Sequence, residues 1–126
     1  MNERSPVLVV DDEPLIAEYL SQVLQDFGFE TTVAGDFKTA VGLVHDNLEF
    51  SAAFVDLGLT DRSGLELIAE LQRAQPALPV VLATAYAKMA ENDQAENGPA
   101  YPILAKPYDM DAIRKVLITI GLRPGE

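Results

Sequence analysis

The chain has 126 residues, long enough for one domain with a core of its own, and its 48% hydrophobic and 23% charged residues describe an ordered globular chain. A net charge of −11 without a basic stripe argues against direct binding to nucleic acid or an anionic membrane, and the absence of cysteine excludes disulfides, thiolate catalysis and cysteine zinc sites. The opening MNERSP has no apolar run of signal-peptide length and no segment approaches membrane-spanning length, so the cytoplasm is the expected location.

Short apolar runs alternate with stretches of helical period. The first run, VLVV at 7–10, stops at two adjacent aspartates, Asp11 and Asp12, in "VLVVDDEP". A helix follows: Pro14 suits its first turn, Ile16, Leu20, Val23, Leu24 and Phe27 share a face, and Gly28 suits its stop. After TTVA at 31–34, Asp36 is placed to cap a second helix whose stripe is Phe37, Ala40, Val41, Val44 and Leu48. The lone histidine, His45, falls on its polar side and is expected to face solvent.

The third run, AAFV at 52–55, ends at Asp56. Ser63 and Glu66 then form a capping box for a helix with the stripe Leu65, Ile68 and Leu71. VVLA at 80–83 ends at Thr84. The next stretch, "TAYAKMAENDQAENGPAYP", turns small, polar and acidic after Met89, which predicts a fourth helix that is weak, short or irregular. ILA at 103–105 ends at Lys106, and a last helix begins at Asp109, turns Ile113, Val116, Leu117 and Ile120 inward and stops at Gly121.

Continuous apolar strands joined by helices predict an α/β fold, a doubly wound five-stranded parallel sheet with its functional crevice beyond the carboxyl ends of the strands. That edge collects Asp11, Asp12, Asp56, Thr84 and Lys106. Two unit charges 4 Å apart cost ~4 kcal/mol at an effective dielectric of 20, so three carboxylates there call for a cation. Oxygen donors without histidine or cysteine favour Mg2+. Lys106 and Thr84 suit phosphoryl oxygens, and Asp56 suits a nucleophile that forms an acyl phosphate.

These positions, with "AAFVDLGLTDRSGLEL", "VVLATAYA" and "ILAKPYD", resemble the receiver domains of two-component response regulators from Val7 to about Leu122. The resemblance implies the flavodoxin-like strand order 2-1-3-4-5. It implies one receiver domain filling residues 1–126, in which Asp56 accepts a phosphoryl group from a histidine kinase or histidine phosphotransfer protein. Asp12 would bind Mg2+ directly, Asp11 through water, and Asp56 and the Gly58 carbonyl would complete the protein ligands. Thr84 and Lys106 would hold the phosphoryl oxygens, and Pro107 is a candidate for a cis peptide bond. The chemistry would be self-phosphorylation and autodephosphorylation rather than that of a conventional enzyme.

Several positions depart from the family pattern. Thr60 replaces a common proline, Ser63 a common aspartate, and Ile103 stands where many receivers carry the aromatic of the switch. Tyr101 and Tyr86 do not match that position, although "LATAYA" is partly similar to the Phe-Ala-Thr-Gly-x-Tyr signature of some small receivers. Tyr86, Tyr101 and Ile103 are therefore taken as the candidate responsive surface. Leu15 and Tyr19, outside the inward stripe of the first helix and beside the acidic pair, are candidates for contact with a partner.

Other readings stay open. Asp11 and Asp12 can also cap the first helix, a role compatible with metal binding. A Mg2+-dependent phosphohydrolase of the haloacid dehalogenase type would use a similar strand edge, but it needs an aspartate where this chain has Gly58. The chain is read as a stand-alone receiver (a shuttle, a sink or a regulator with a downstream protein target), the alternative being a receiver excised from a larger regulator or hybrid kinase.

Overall fold

The computed structural model describes residues 5–46, 49–59, 63–85, 87–97 and 101–125. Leu48, Thr60 and Tyr86 lie outside them. The strands are β1 (Val7–Val10), β2 (Thr31–Ala34), β3 (Ala52–Val55), β4 (Val80–Thr84) and β5 (Ile103–Ala105); the helices are α1 (Pro14–Asp26), α2 (Phe37–His45), α3 (Gly64–Ala74), α4 (Ala87–Asn97) and α5 (Met110–Thr119). All four strand pairings are parallel, in the order β2-β1-β3-β4-β5.

The two-residue period of a strand divides the core between the faces of the sheet. Val7, Val9, Ala52, Phe54, Val81, Ala83 and Leu104 point to the face covered by α1 and α5, where they meet Leu20, Leu24, Ile113 and Leu117. Leu8, Val10, Ala53, Val55, Val80 and Leu82 point to the other face, where Ala40, Val44, Leu67, Ile68, Leu71 and Ala90 cover them. Phe54, on the central strand, is 1% exposed; burying such a side chain is worth roughly 1.5–3 kcal/mol.

Local chemistry sets the helix ends. Asp36 accepts the Thr39 N–H at 2.8 Å, Asp109 the Ala112 N–H at 2.9 Å and Ser63 the Leu65 N–H at 3.1 Å. Gly28 and Gly121, just past α1 and α5, take φ of +99° and +91°, where a side chain would be strained. His45 is exposed at the end of α2.

Two expectations need correction. Leu65 is 47% exposed and Leu67, two residues on, is fully buried, so the stripe of α3 is Leu67, Ile68 and Leu71. The helix starts at Gly64, which turns Leu65 to solvent in the first turn. The fourth helix is not short: α4 has 11 residues, as many as α3. Its weakness is its apolar face, for which Ala90 is the buried side chain among the described residues. A side chain supplies part of the missing hold, because Gln94 accepts the Tyr101 N–H and donates to the Tyr101 carbonyl at 3.2 Å, tying α4 to the segment that enters β5.

Candidate functional site

In-register pairing brings the polar residues together. Val10 pairs with Val55, so Asp11 and Asp56 leave β1 and β3 side by side, with the Asp56 N–H on the Val10 carbonyl at 3.0 Å. Thr84 and Ala105 pair at the ends of β4 and β5, and the Lys106 N–H donates to the Thr84 carbonyl at 2.8 Å. Thr84 is fully buried. The Lys106–Pro107 peptide bond is cis.

Carboxylate oxygens of Asp11, Asp12 and Asp56 all lie within 4.8 Å of one another. Asp11 and Asp56 are buried and Asp12 is half-buried. The Lys106 ammonium reaches Asp11 Oδ2 at 2.9 Å, Glu13 Oε1 at 3.0 Å and Asp56 Oδ2 at 3.1 Å. Asp56 Oδ1 accepts the Gly58 N–H at 3.1 Å, and Asp11 Oδ1 accepts the Glu13 N–H at 2.9 Å. Asp11 thus braces the turn before α1 through the N–H of Glu13, the residue that precedes the helix, while its other oxygen faces Lys106.

Burial raises the Asp11 pKa above the ordinary carboxylate value, against the lowering pull of Lys106 and the Glu13 N–H, and the neighbouring Asp56 charge raises it further. Burial also works against the Lys106 ammonium, but Asp11, Glu13 and Asp56 outweigh it and lift its pKa well above that of free lysine. Lys106 is therefore a fixed positive charge at neutral pH. One cation among four carboxylates leaves the pocket strongly anionic, and three oxygen donors at this spacing suit a hard divalent ion.

The other candidates fall around this centre. Leu15 is 80% exposed on the first turn of α1. Tyr19, one turn on, stacks against Tyr108 at 6.2 Å between ring centroids. Ile103 and Tyr101 are partly buried against the core on the α3 side, and the Tyr101 hydroxyl donates to Gln72 Oε1 at 3.2 Å. Tyr86 lies outside the described residues.

Sequence reasoning missed Glu13 and Tyr108. Glu13 stands next to the acidic pair in "DDEP", and adjacency was the available signal. Tyr108 follows Lys106 and Pro107 directly; its hydroxyl is buried with no hydrogen-bond partner among the described residues, and burial followed by the Asp11 charge pushes its pKa up.

The family model of the response regulator receiver domain matches residues 7–118. Among curated proteins the chain is similar to the response regulator protein PilR of Pseudomonas aeruginosa, 34% identical over 116 residues that cover 92% of this chain and 26% of that protein. It is also similar to the probable transcriptional regulatory protein TcrX of Mycobacterium tuberculosis, 32% identical over 107 residues that cover 85% of this chain and 45% of that one. The chain thus spans between a quarter and half of the length of these relatives. A response regulator of Burkholderia pseudomallei, solved with a phosphorylated aspartic acid, a calcium ion and citrate, superposes with a TM-score of 0.78 at 34% identity, covering 90% of this chain and 66% of that one. The Thermotoga maritima response regulator TrrA, solved with Mg2+ and BeF, has the same fold at 24% identity, a TM-score of 0.78 and coverage of 92% and 98%. The match over nearly the whole chain, on a fold that gathers the aspartates and Lys106 at one strand edge, places this protein in the family of response regulator receiver domains.

Proposed function

We propose that the protein is a phosphorylation switch in which Asp56 accepts a phosphoryl group from a phosphohistidine on a histidine kinase or histidine phosphotransfer protein. The observation that carries this reading is the joining of Asp11, Asp12 and Asp56 within 4.8 Å, with Lys106 bonded to two of them. An Asp56 carboxylate oxygen forms the new O–P bond as the donor's N–P bond breaks, and the electron pair of that bond stays on the imidazole nitrogen. Lys106 and the Thr84 hydroxyl hold the phosphoryl oxygens, and the Gly58 N–H fixes the Asp56 carboxylate.

Mg2+ is the expected cofactor, held by Asp11, Asp12, Asp56 and the Gly58 carbonyl. When bound it neutralises charge on the carboxylates and the phosphoryl oxygens. The donor approaches over α1, where Leu15 and Tyr19 meet it; Tyr101, Ile103 and Tyr86 form the surface that reports the state to a downstream protein. The setting is the cytoplasm, without direct contact with nucleic acid or membrane; among the described residues no helix is long and apolar enough to cross one. Two settings fit this chemistry, a stand-alone shuttle, sink or regulator and a receiver within a larger protein. That the relatives carry the matched region as 26% and 45% of their length supports the alternative, a receiver within a larger regulator.

Incubation with Mg2+ and a small phosphodonor tests the chemistry. Stoichiometric label that is stable to acid and labile to base is expected; sustained release of phosphate without accumulated label would contradict the proposal and favour a hydrolase.

A further inference from the structure

A lysine ammonium has three N–H donors and no acceptor. In this protein all three are engaged, with Asp11 at 2.9 Å, Glu13 at 3.0 Å and Asp56 at 3.1 Å. A phosphoryl oxygen that binds Lys106 has to take the place of one carboxylate, and the three differ in how readily they let go. The Asp11 and Asp56 side chains are 4% and 10% exposed and belong to the aspartate triad. Glu13 is 58% exposed and lies outside the triad, and water readily replaces such a partner.

We propose that Glu13 is a counter-ion gate on Lys106. It holds the ammonium at the mouth of the pocket until a phosphoryl oxygen displaces it, and so sets how readily the pocket takes a phosphoryl group. Glu13 acts as a positioning residue through Lys106, which it meets across 93 residues of sequence. Its negative charge at the entrance also opposes an incoming phosphoryl anion, which pushes the effect of its removal in the same direction. This inference rests on the receiver reading above.

The test compares the wild type, Glu13→Gln and Glu18→Gln as full chains, titrated with beryllium fluoride in saturating Mg2+ and followed by amide NMR. Glu18 lies further along α1 and lines the same groove as Asp11 and Asp12, so its neutralisation removes an equal charge nearby. Glu13→Gln is expected to bind the phosphoryl mimic roughly threefold tighter or more at low salt. That gain should shrink in ~1 M salt, where screening acts over about 3 Å, and Glu18→Gln should stay within about twofold of the wild type. With a small phosphodonor, the half-saturating concentration should fall while the maximal rate stays within about twofold.

Equal or weaker binding by Glu13→Gln would overturn the gate, because Lys106 would then exchange its Asp56 contact alone and Glu13 would be a plain anchor. An equal gain in Glu18→Gln would overturn it in favour of a general field. Failure of the wild type itself to bind beryllium fluoride would overturn the receiver reading, and the gate with it.

Discussion

Gly64 begins α3 against the main chain of Asp56, the residue that follows β3. Its N–H donates to the Leu57 carbonyl at 3.0 Å, and a Cβ at this position would overlap the Asp56 carbonyl oxygen and sit 2.8 Å from Leu57 Cα. Both obstacles are backbone, so neither can rotate away. Gly64→Ala is expected to lower the unfolding free energy by about 1–3 kcal/mol in urea titration and to slow labelling more than that loss explains, because Asp56 must shift. Unchanged stability would show that the turn gives way freely. At this scale the site was legible where it follows from strand ends: Asp11, Asp12, Asp56, Thr84 and Lys106 each close an apolar run, and parallel pairing aligns those closures. Glu13 was not, because its role depends on a side chain reaching Lys106 across 93 residues of sequence. The Tyr108 hydroxyl, without a hydrogen-bond partner among the described residues, was equally hidden, since its burial against α1 and its stacking on Tyr19 are tertiary.

Among the helices, α4 has the sequence poorest in apolar residues, with Ala90 the buried side chain among those described. Two glutamines perform parallel tasks: Gln75, after α3, donates to the Phe50 carbonyl at 2.6 Å and accepts the Phe50 N–H at 3.1 Å, while Gln94 makes the same pair of contacts with Tyr101. Each serves the backbone just before a strand as a neighbouring strand would. Gln94→Ala should cost about 1 kcal/mol and speed hydrogen exchange across α4 and the entry to β5, while leaving the amides of β1 and β3 as they were. Equal exchange in α4 would place its hold elsewhere. Composition disclosed the poor apolar face of α4, but its length could not be read the same way, because a tertiary contact to Tyr101 stands in for hydrophobic burial. The stripe of α3 was missed for a different reason: the capping residue was found, yet the phase of the first turn put Leu67 rather than Leu65 against the sheet.

The whole molecule carries a net charge of −11, and its fold concentrates part of that charge at one edge. Burial disfavours the ionised Asp11, so the carboxylate cluster is a local cost to the fold that a bound cation would offset. Mg2+ at ~100 times its dissociation constant should add ~2.7 kcal/mol to stability and raise the thermal midpoint. In Asp12→Asn that rise should be largely lost, because one oxygen ligand has lost its charge. A midpoint indifferent to millimolar Mg2+ would mean that the pocket does not hold the ion. The central claim is that this edge is a phosphoryl acceptor centred on Asp56. It is tested most directly by locating the label: after incubation with a small phosphodonor and Mg2+, peptide mapping should place one phosphoryl group per chain on Asp56, and Asp56→Asn, folded as the wild type by circular dichroism, should carry none. Stoichiometric label retained in Asp56→Asn would contradict it.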